Sequence, residues 1–431
     1  MTIRNRLLSC SVLLALSLAC GAPRSIGPVS SPVTLDVPGR ADSTPWLAAS
    51  GPFVAVAWGA TGNGRTDVFL AVSRDGGSTF GHPVQVNPTA GDARLGGEFP
   101  PRVALAPRSG NPVPEVVVLW TSRGDGTGIK IARSSDGGGT FAAPVTLQAD
   151  GAAGDRGWPS LALDSQANVH AIWLDHRGLA TKPEAGAHPA GHGGGEEHDG
   201  VAMAQKSGLY YASVGAGTSP ERQITNGVCY CCKTAMAAGP DGSVYAAWRH
   251  VYPGNLRDMA FTMSRDGGRT FSPPARVSED GWAINGCPDD GPAMALDADG
   301  GVHLAWPTVV GGATPEGALF YAATRDGLHF TPRVRIPTLG GPKPSHPQIV
   351  VDRGGRIFVA WDEGVDGRRV AALRELRLAD GGAPSFGDVV MLAGDGPAAY
   401  PTLAATDRGL VAVWTTGGNQ SRVEVGTLST R

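Results

Sequence analysis

A short apolar strand that ends in tryptophan recurs seven times along the chain, and no other sequence feature constrains the fold as strongly. The first copy is VAVAW at residues 54–58, and the seven copies end at Trp58, Trp120, Trp173, Trp248, Trp306, Trp361 and Trp414. Successive tryptophans stand 62, 53, 75, 58, 55 and 53 residues apart. Repeats of this length, made of strands and glycine-rich turns, are typical of four-stranded propeller blades. The sequence therefore predicts an all-β fold, a seven-bladed β-propeller, with six blades as the alternative if one unit is degenerate.

A second recurring strand opens each unit and usually begins at a proline. Proline suits the first residue of a strand, where no ladder donor is lost. The positions are Pro45, Pro101, Pro159, Pro292, Pro347 and Pro401. The seventh unit reaches Arg431 without a fourth strand, whereas PVTL at residues 32–35 repeats the fourth strand PVTL at 144–147. We therefore expect an N-terminal strand to complete the last blade and close the ring, within a propeller domain of residues 32–431.

The N-terminal residues 1–19 have the pattern of an export signal, with a basic start followed by an apolar stretch. The segment LSLAC, which ends at Cys20, is similar to the lipobox of bacterial lipoprotein signal peptides. That resemblance implies cleavage before Cys20 and attachment of lipid to its sulfur, with an ordinary secretory signal as the alternative. Residues 20–31 then form a polar tether. We expect an exported protein, anchored by lipid at the outer membrane and facing the periplasm or the surface, where disulfides persist.

The net charge of the chain limits the kinds of partner that the sequence predicts. The 431 residues include 36 Lys and Arg against 39 Asp and Glu, a net charge of −3. Nucleic-acid binding needs a dense basic stripe, so no nucleic-acid partner is expected. The predicted partners are the membrane, through the lipid at Cys20, and a glycan or protein ligand at the funnel face of the ring.

Three turns share the pattern S-x-D-G-G-x-T-F, at residues 73–80, 134–141 and 264–271, and a shortened copy covers 324–330. They resemble the Asp-box, or BNR repeat, of the sialidase-like β-propeller superfamily, and with the strand period this resemblance covers nearly the whole mature chain. The chemistry fits, because an Asp carboxylate caps turn amides and glycine accepts a positive φ. In that superfamily these turns lie opposite the active site, so their Asp residues are structural.

The resemblance implies exo-α-sialidase-like glycan hydrolysis as one function of the chain. Such sialidases use three arginines on the substrate carboxylate, a tyrosine nucleophile assisted by Glu, and an Asp acid/base. The Phe-Arg-Ile-Pro signature is absent, and FPPR at residues 99–102 displaces its arginine to Arg102. Tyr400 precedes the last inner strand, where the nucleophile would stand, with Glu363 or Asp362 as its partner. Asp175 completes the candidate catalytic set.

Four cysteines of the mature chain stand just before the inner strands of units four and five, namely Cys229, Cys231, Cys232 and Cys287. Loops that enter inner strands share a face with loops that follow the Trp strands, which carry His176 and His250. Clustered Cys and His favour soft metals, copper first and zinc second, so these six residues form a candidate metal or thiol redox site. Two disulfides are the alternative, and one disulfide from Cys229 or Cys231 to Cys287 is another.

Three functions stay open on the sequence alone. The leading one is the Cys/His cluster as a soft-metal or thiol redox site, the second is glycan hydrolysis at Tyr400, and the third is a disulfide-stapled binding propeller. Further candidate binding residues on the same face are Arg102, Arg249, Arg257, Asp258 and Asp289. An insertion at residues 182–199 carries His188, His192 and His198 and is interpreted as a solvated loop or a weak metal-binding tract.

Overall fold

The computed structural model describes residues 26–124, 126–149, 154–179, 200–215, 219–284, 286, 288–312, 314–378, 384–418 and 420–430. The predicted signal peptide, the first half of the tether, the histidine-bearing insertion and Cys287 lie outside these residues. The described strands form seven antiparallel sheets, one for each tryptophan repeat. The prediction of seven blades is confirmed, and the six-bladed alternative is wrong.

Blades 1 to 6 are meanders whose strands follow one another in the chain. The described chain starts with β1 (Val33–Leu35). Blade 1 consists of β2 (Ala41–Ser50), β3 (Phe53–Gly62), β4 (Arg65–Ser73) and β5 (Val84–Gln85). Blade 2 consists of β6 (Arg102–Arg108), β7 (Asn111–Ser122), β8 (Gly128–Ser134) and β9 (Val145–Thr146). Blade 3 consists of β10 (Arg156–Leu163), β11 (Val169–Asp175), β12 (Gly208–Val214) and β13 (Ser219–Asn226).

The remaining blades repeat this order. Blade 4 consists of β14 (Ala235–Ala238), β15 (Val244–Arg249), β16 (Met259–Ser264) and β17 (Ala275–Arg276). Blade 5 consists of β18 (Ala293–Leu296), β19 (Val302–Val310), β20 (Glu316–Thr324) and β21 (Val334–Ile336). Blade 6 consists of β22 (Ser345–Val351), β23 (Ile357–Val365), β24 (Arg368–Arg377), β25 (Ser385–Phe386) and β26 (Val390–Met391). Blade 7 adds β27 (Ala399–Thr406), β28 (Gly409–Thr416) and β29 (Arg422–Leu428).

The ring closes as the sequence predicts. Strand β1 lies antiparallel to β29, with Val33 opposite Val425 and Leu35 opposite Val423, and the sheet order of blade 7 is β1-β29-β28-β27. The outer edge of the last blade is therefore filled by the first strand of the chain. This pairing leaves no gap in the ring at the point where the chain begins and ends.

The apolar core lies between neighbouring blades and follows from the alternation of side chains along the Trp strands. Val54 and Val56 of β3 pack against Val411 and Val413 of blade 7, whereas Ala55 of the same strand packs toward blade 2. All seven repeat tryptophans are buried, at no more than 1% exposure. Both faces of each Trp strand are therefore covered, which explains why these strands are apolar at consecutive positions.

The Asp-box turns join the third and fourth strands, on the face opposite the start of each inner strand. Burial would raise the pKa of Asp75, but hydrogen bonds from Thr79, Ser73 and Ser78 lower it to about 2. The same pattern recurs at Asp136 and Asp266. These carboxylates are satisfied within their own turns, as expected for structural residues.

Among the residues that the structure describes, helical structure is confined to blade 3. A 3-10 turn at Arg177–Leu179 and the helix α1 (Gly200–Lys206) flank the insertion between β11 and β12. Within the described residues no helix is both long and apolar enough to cross a membrane.

Candidate functional site

In four blades the residue before the opening proline has a left-handed backbone. The φ angles are 52° at Thr44, 53° at Trp158, 52° at His346 and 54° at Tyr400. Each lies at a shift of strand register, which marks a β-bulge at the start of the inner strand. A bulky residue rarely adopts this conformation, and a bulge re-aims the side chain it carries. Three of the four residues, Thr44, His346 and Tyr400, line one cavity on the axis of the ring.

Lys233, His346 and Tyr400 line this cavity, and Glu98, Asp290 and Asp362 are hydrogen-bonded to them. These six residues are termed the funnel cluster. Its residues come from the starts of the inner strands of blades 2, 4, 5, 6 and 7, with Asp362 from the Trp strand of blade 6. Gly97 leaves room for the tyrosine, because a Cβ there would stand 2.2 Å from Tyr400 Cε1. The hydrogen bonds of the cluster join residues that lie 16 to 135 positions apart in the chain.

Asp362 is the hydrogen-bond acceptor that links His346, Tyr400 and Arg369, and it is fully buried. Its two oxygens each lie 2.9 Å from His346 Nδ1, and they also accept hydrogen bonds from the Tyr400 amide at 2.6 Å and from Arg369 Nε at 2.6 Å. The His346 and Tyr400 rings are in contact, with centroids 4.5 Å apart. One carboxylate thus holds both strained residues in place.

The charges of this group reinforce one another. Burial would raise the pKa of Asp362, but the positive charges of His346 and Arg369 bring it below its usual value. Burial likewise opposes the charge on His346, yet Asp362 raises the pKa of the imidazole above 6.5. We therefore treat His346 and Asp362 as a buried ion pair beside the tyrosine.

Glu98 is the second carboxyl group of the cluster and lies between Lys233 and His346. Its Oε2 accepts a hydrogen bond from the Lys233 amide at 2.8 Å, whereas Oε1 is buried without a hydrogen-bond partner, 3.9 Å from His346 Nε2. Burial raises the pKa of Glu98 and lowers the pKa of Lys233. Carboxyl groups whose pKa values are pushed apart, as in Glu98 and Asp362, are typical of acid–base sites.

Arg102 lies beside this cavity. Its guanidinium carbon stands 3.7 Å from the centre of the Trp46 ring, and Nε donates to the Pro159 carbonyl at 2.9 Å. Burial lowers the pKa of Arg102 to about 9. Among the predicted binding residues, Arg102 and the exposed Asp289 lie around the funnel. The pKa of Tyr400 is raised mainly by burial, next by the charge of Asp362, and to a smaller extent by the charge of Asp289.

Three other predicted binding residues have structural contacts. Arg249 donates to the carbonyls of Asp290, Arg257 and Pro307 at 2.7–3.0 Å. Arg257 Nε donates to the Ile284 carbonyl at 3.2 Å, and Asp258 is buried against Arg276. The three-arginine carboxylate site of sialidases is not assembled from these side chains.

Two predicted catalytic carboxylates are tryptophan anchors instead. Glu363 accepts the Trp361 indole N–H at 2.8 Å, and Asp175 accepts that of Trp173 at 3.2 Å. Each stands two residues after its tryptophan, and each has further partners, which are two backbone amides for Glu363 and Arg177 for Asp175. The structure thus places Asp362, rather than Glu363, beside Tyr400.

The cysteine cluster, Cys229, Cys231 and Cys232, lies next to the funnel cluster along the chain. The sulfur atoms are 3.6 Å apart for Cys229 and Cys232, 3.8 Å for Cys229 and Cys231, and 3.9 Å for Cys231 and Cys232. Cys231 is disulfide-bonded, whereas Cys229 and Cys232 are free thiols. The hydrogen bond with Cys232 and the charge of Arg257, 3.7 Å away, lower the pKa of Cys229 to about 7 against the effect of burial.

The two predicted histidine ligands do not join this cluster. Within the described residues, the group whose ligand atoms lie within 4.8 Å of one another consists of the three cysteines. His250 is a third tryptophan anchor, since its Nδ1 accepts the Trp248 indole N–H at 3.3 Å. His176 packs on Trp158 and Tyr230. Burial lowers the pKa of both histidines to about 4.

The sequence did not indicate Glu98, Lys233, Asp290 or His346 as site residues, and it indicated Asp362 only as one of two possible partners of Tyr400. A usable signal was present, because a bulky residue precedes the repeated proline in blades 3, 6 and 7. Trp158, His346 and Tyr400 all occupy this position. Nothing comparable marks Glu98 and Lys233, which meet across the ring.

Comparison with solved structures agrees with this architecture. An α-L-arabinofuranosidase from Fusarium graminearum, in complex with an iminosugar inhibitor, aligns with a TM-score of 0.50 and 14% identity, covering 93% of this chain and 98% of that chain. An ulvan lyase of a new polysaccharide lyase family, bound to a sulfated disaccharide, aligns with a TM-score of 0.51 and 15% identity over 80% of this chain and 83% of that chain.

The chain has the sialidase-like propeller fold. A Hadza microbial sialidase also aligns, with a TM-score of 0.47 and 15% identity over 88% of this chain and 74% of that chain. No protein-family model and no curated protein matches the sequence. At these identities the structural likeness establishes the fold alone.

Proposed function

We propose that the chain is a glycan hydrolase whose active site is the funnel cluster. The observation that carries this proposal is the placement of Tyr400, a strained residue held by Asp362 and packed on His346 beside Glu98. Strained backbone and opposed pKa shifts in one cavity are features of catalytic sites. The fold is shared with an α-L-arabinofuranosidase, which supports a carbohydrate substrate over other classes.

In this proposal the Tyr400 hydroxyl is the nucleophile. Burial raises the pKa of the phenol, so its proton leaves as the bond to the anomeric carbon forms, and a base is required. Asp289, exposed at the rim, is the candidate base. The glycosidic C–O bond breaks, and its oxygen takes the proton that the raised pKa keeps on Glu98. Water then attacks the anomeric carbon of the tyrosyl-glycoside and gives a proton to Glu98, while the proton held by Asp289 returns to the Tyr400 oxygen as it leaves. All three groups are thereby restored.

Release of a fluorescent aglycone from aryl α-sialosides and aryl α-L-arabinofuranosides tests the proposal. We expect turnover of at least one substrate and a loss of about 100-fold or more in Tyr400→Phe, because the nucleophile is removed. Tyr252→Phe is the matched control, since Tyr252 Oη is buried without a hydrogen-bond partner in blade 4. A folded protein that turns over no glycoside would contradict the proposal and favour the binding-propeller alternative.

A uronate-cleaving lyase is the second candidate. Lys233 lines the same cavity as Tyr400 and His346, and Arg102 stacks on Trp46, which also lines it. Both cations are buried, and β-elimination needs a neutralised carboxylate beside a base. The fold is shared with an ulvan lyase, which supports this alternative. Incubation with uronate-containing polysaccharides separates the two, because a lyase gives an unsaturated product that absorbs ultraviolet light and a hydrolase does not.

We also propose that the chain is exported and anchored by lipid at Cys20, on the strength of the lipobox-like LSLAC segment. Incorporation of a labelled fatty acid measures this directly. We expect labelling of the wild type and its loss in Cys20→Ser. Labelling retained in the variant would contradict the anchor.

A further inference from the structure

The cysteine cluster has a spacing that the proposed glycan site does not explain. Three sulfur atoms stand 3.6–3.9 Å apart in a region where each residue is at most 7% exposed. Three sulfurs that share one ion at a metal–sulfur bond of about 2.3 Å stand roughly 3.8 Å apart in tetrahedral geometry and roughly 4.0 Å apart in trigonal geometry. Even with Cys231 in its disulfide, the observed spacing therefore matches that of a common ligand set.

The surroundings compensate the negative charge of such a set. Arg257 Nη1 stands 3.7 Å from Cys229 Sγ, and both Arg257 and Arg249 are almost completely buried. The amide of Asp290 points at Cys232 Sγ at 3.4 Å. Two buried guanidiniums and a backbone donor are arranged to stabilise thiolates, which are the metal-binding form of cysteine.

We propose that Cys229, Cys231 and Cys232 form a redox-gated site for copper(I). In the described residues the cluster contains three soft ligands and no His or carboxylate, which favours a three-coordinate soft ion over zinc, whose structural sites have four ligands. This site is separate from the glycan site and does not depend on it.

The gate is the oxidation state of Cys231. While Cys231 is disulfide-bonded, only the two thiols of Cys229 and Cys232 are available. Reduction by a phosphine and water converts the disulfide to two thiols and the phosphine to its oxide. Copper(I) then binds the three sulfurs and displaces their protons. Two ligands thus become three when the protein is reduced.

Competition for copper(I) with a chromophoric chelator tests the proposal on the purified protein, before and after phosphine reduction. We expect the reduced protein to take up one copper(I) per chain and to bind it at least tenfold more tightly than the oxidised protein. Cys229→Ser and Cys232→Ser should each weaken binding beyond about 100-fold, because loss of a ligand costs more than loss of an outer-shell contact. Met236→Leu is the matched control, since it removes another sulfur from the same packed cluster.

No uptake by the reduced protein, or uptake unchanged in the Cys229→Ser/Cys232→Ser variant, would overturn the proposal. X-ray absorption of the copper-loaded wild type gives an answer even when the variants do not fold. We expect three sulfur neighbours at about 2.3 Å. Nitrogen or oxygen neighbours, or preferential four-coordinate binding of zinc, would reject the copper(I) assignment.

Discussion

The two faces of the ring satisfy their carboxylates differently. On the Asp-box face, Asp75 is bonded by Ser73, Ser78 and Thr79 of its own turn. On the funnel face, Asp362 of blade 6 holds the backbone of Tyr400 in blade 7. A carboxylate satisfied locally can recur in every blade, whereas one satisfied by other blades is specific to its place. In this propeller the repeat is kept where it supports the fold and is broken at the proposed active site.

The largest expected effect is that of Asp362→Asn. The variant leaves His346 and Arg369 without their buried counter-charge, so we expect a loss of about 3–5 kcal/mol in the free energy of unfolding and loss of glycan turnover. The opposite-face counterpart, Asp75→Asn, should cost about 1 kcal/mol, as for a cap residue, and leave turnover unchanged. Urea unfolding measures both. Equal losses in the two variants would remove the distinction between the faces.

The pH dependence of stability sharpens the same comparison. His346 has a raised pKa, so the stability from its charge is complete below its ordinary value of 6.5 and is lost as the pH rises through the raised value. Asp362 has a lowered pKa, so its contribution is complete above its ordinary value of 3.8 and is lost as the pH falls through the lowered value. The difference in unfolding free energy between wild type and His346→Gln should be largest between pH 3.8 and 6.5.

This difference should shrink at higher pH. Glu98 also has a raised pKa, so its contribution to stability likewise falls as the pH rises. Glu98 and its charged neighbours Asp290 and Lys233 are present in both proteins, so this contribution does not enter the difference. A difference that stays constant from pH 5 to pH 9 would show that His346 carries no charge in the folded state.

A smaller effect is expected from Gly97→Ala. The added Cβ would stand 2.2 Å from Tyr400 Cε1, so the ring must move, at a cost of roughly 1–3 kcal/mol in stability and about tenfold in kcat/KM. Gly364→Ala is the control, because no atom lies within 4 Å of its added Cβ. Unaltered turnover in Gly97→Ala would mean that the position of the tyrosine ring is not critical.

The smallest effect on turnover is expected from Glu363→Gln. The carboxylate anchors the Trp361 indole and two backbone amides, so the variant should lose about 1–3 kcal/mol of stability and keep its kcat/KM. Steady-state kinetics at a temperature well below unfolding measures this. A selective loss of kcat with stability unchanged would restore Glu363 as a catalytic residue.

The repeated segments of the sequence were enough to predict the repeated parts of the fold. The seven tryptophans and the two PVTL segments led to the ring and its closing strand, and both are confirmed. The assignments of Asp175, His250 and Glu363 placed them in loops on the functional face, whereas all three stand two residues after a repeat tryptophan and bond its indole. Contacts across the ring, such as that of Glu98 with Lys233, depend on how the blades are arranged around the central axis. The spacing of residues along the chain does not determine this arrangement, so these contacts could not be predicted.

The closing strand has a consequence for the order in which the protein is made. Val33 is synthesised 392 residues before its partner Val425. The first strand must therefore wait, unpaired, until the last strand of blade 7 has been made. A chain cut short before residue 422 lacks β29, so β1 and β28 are left without the strand that joins them.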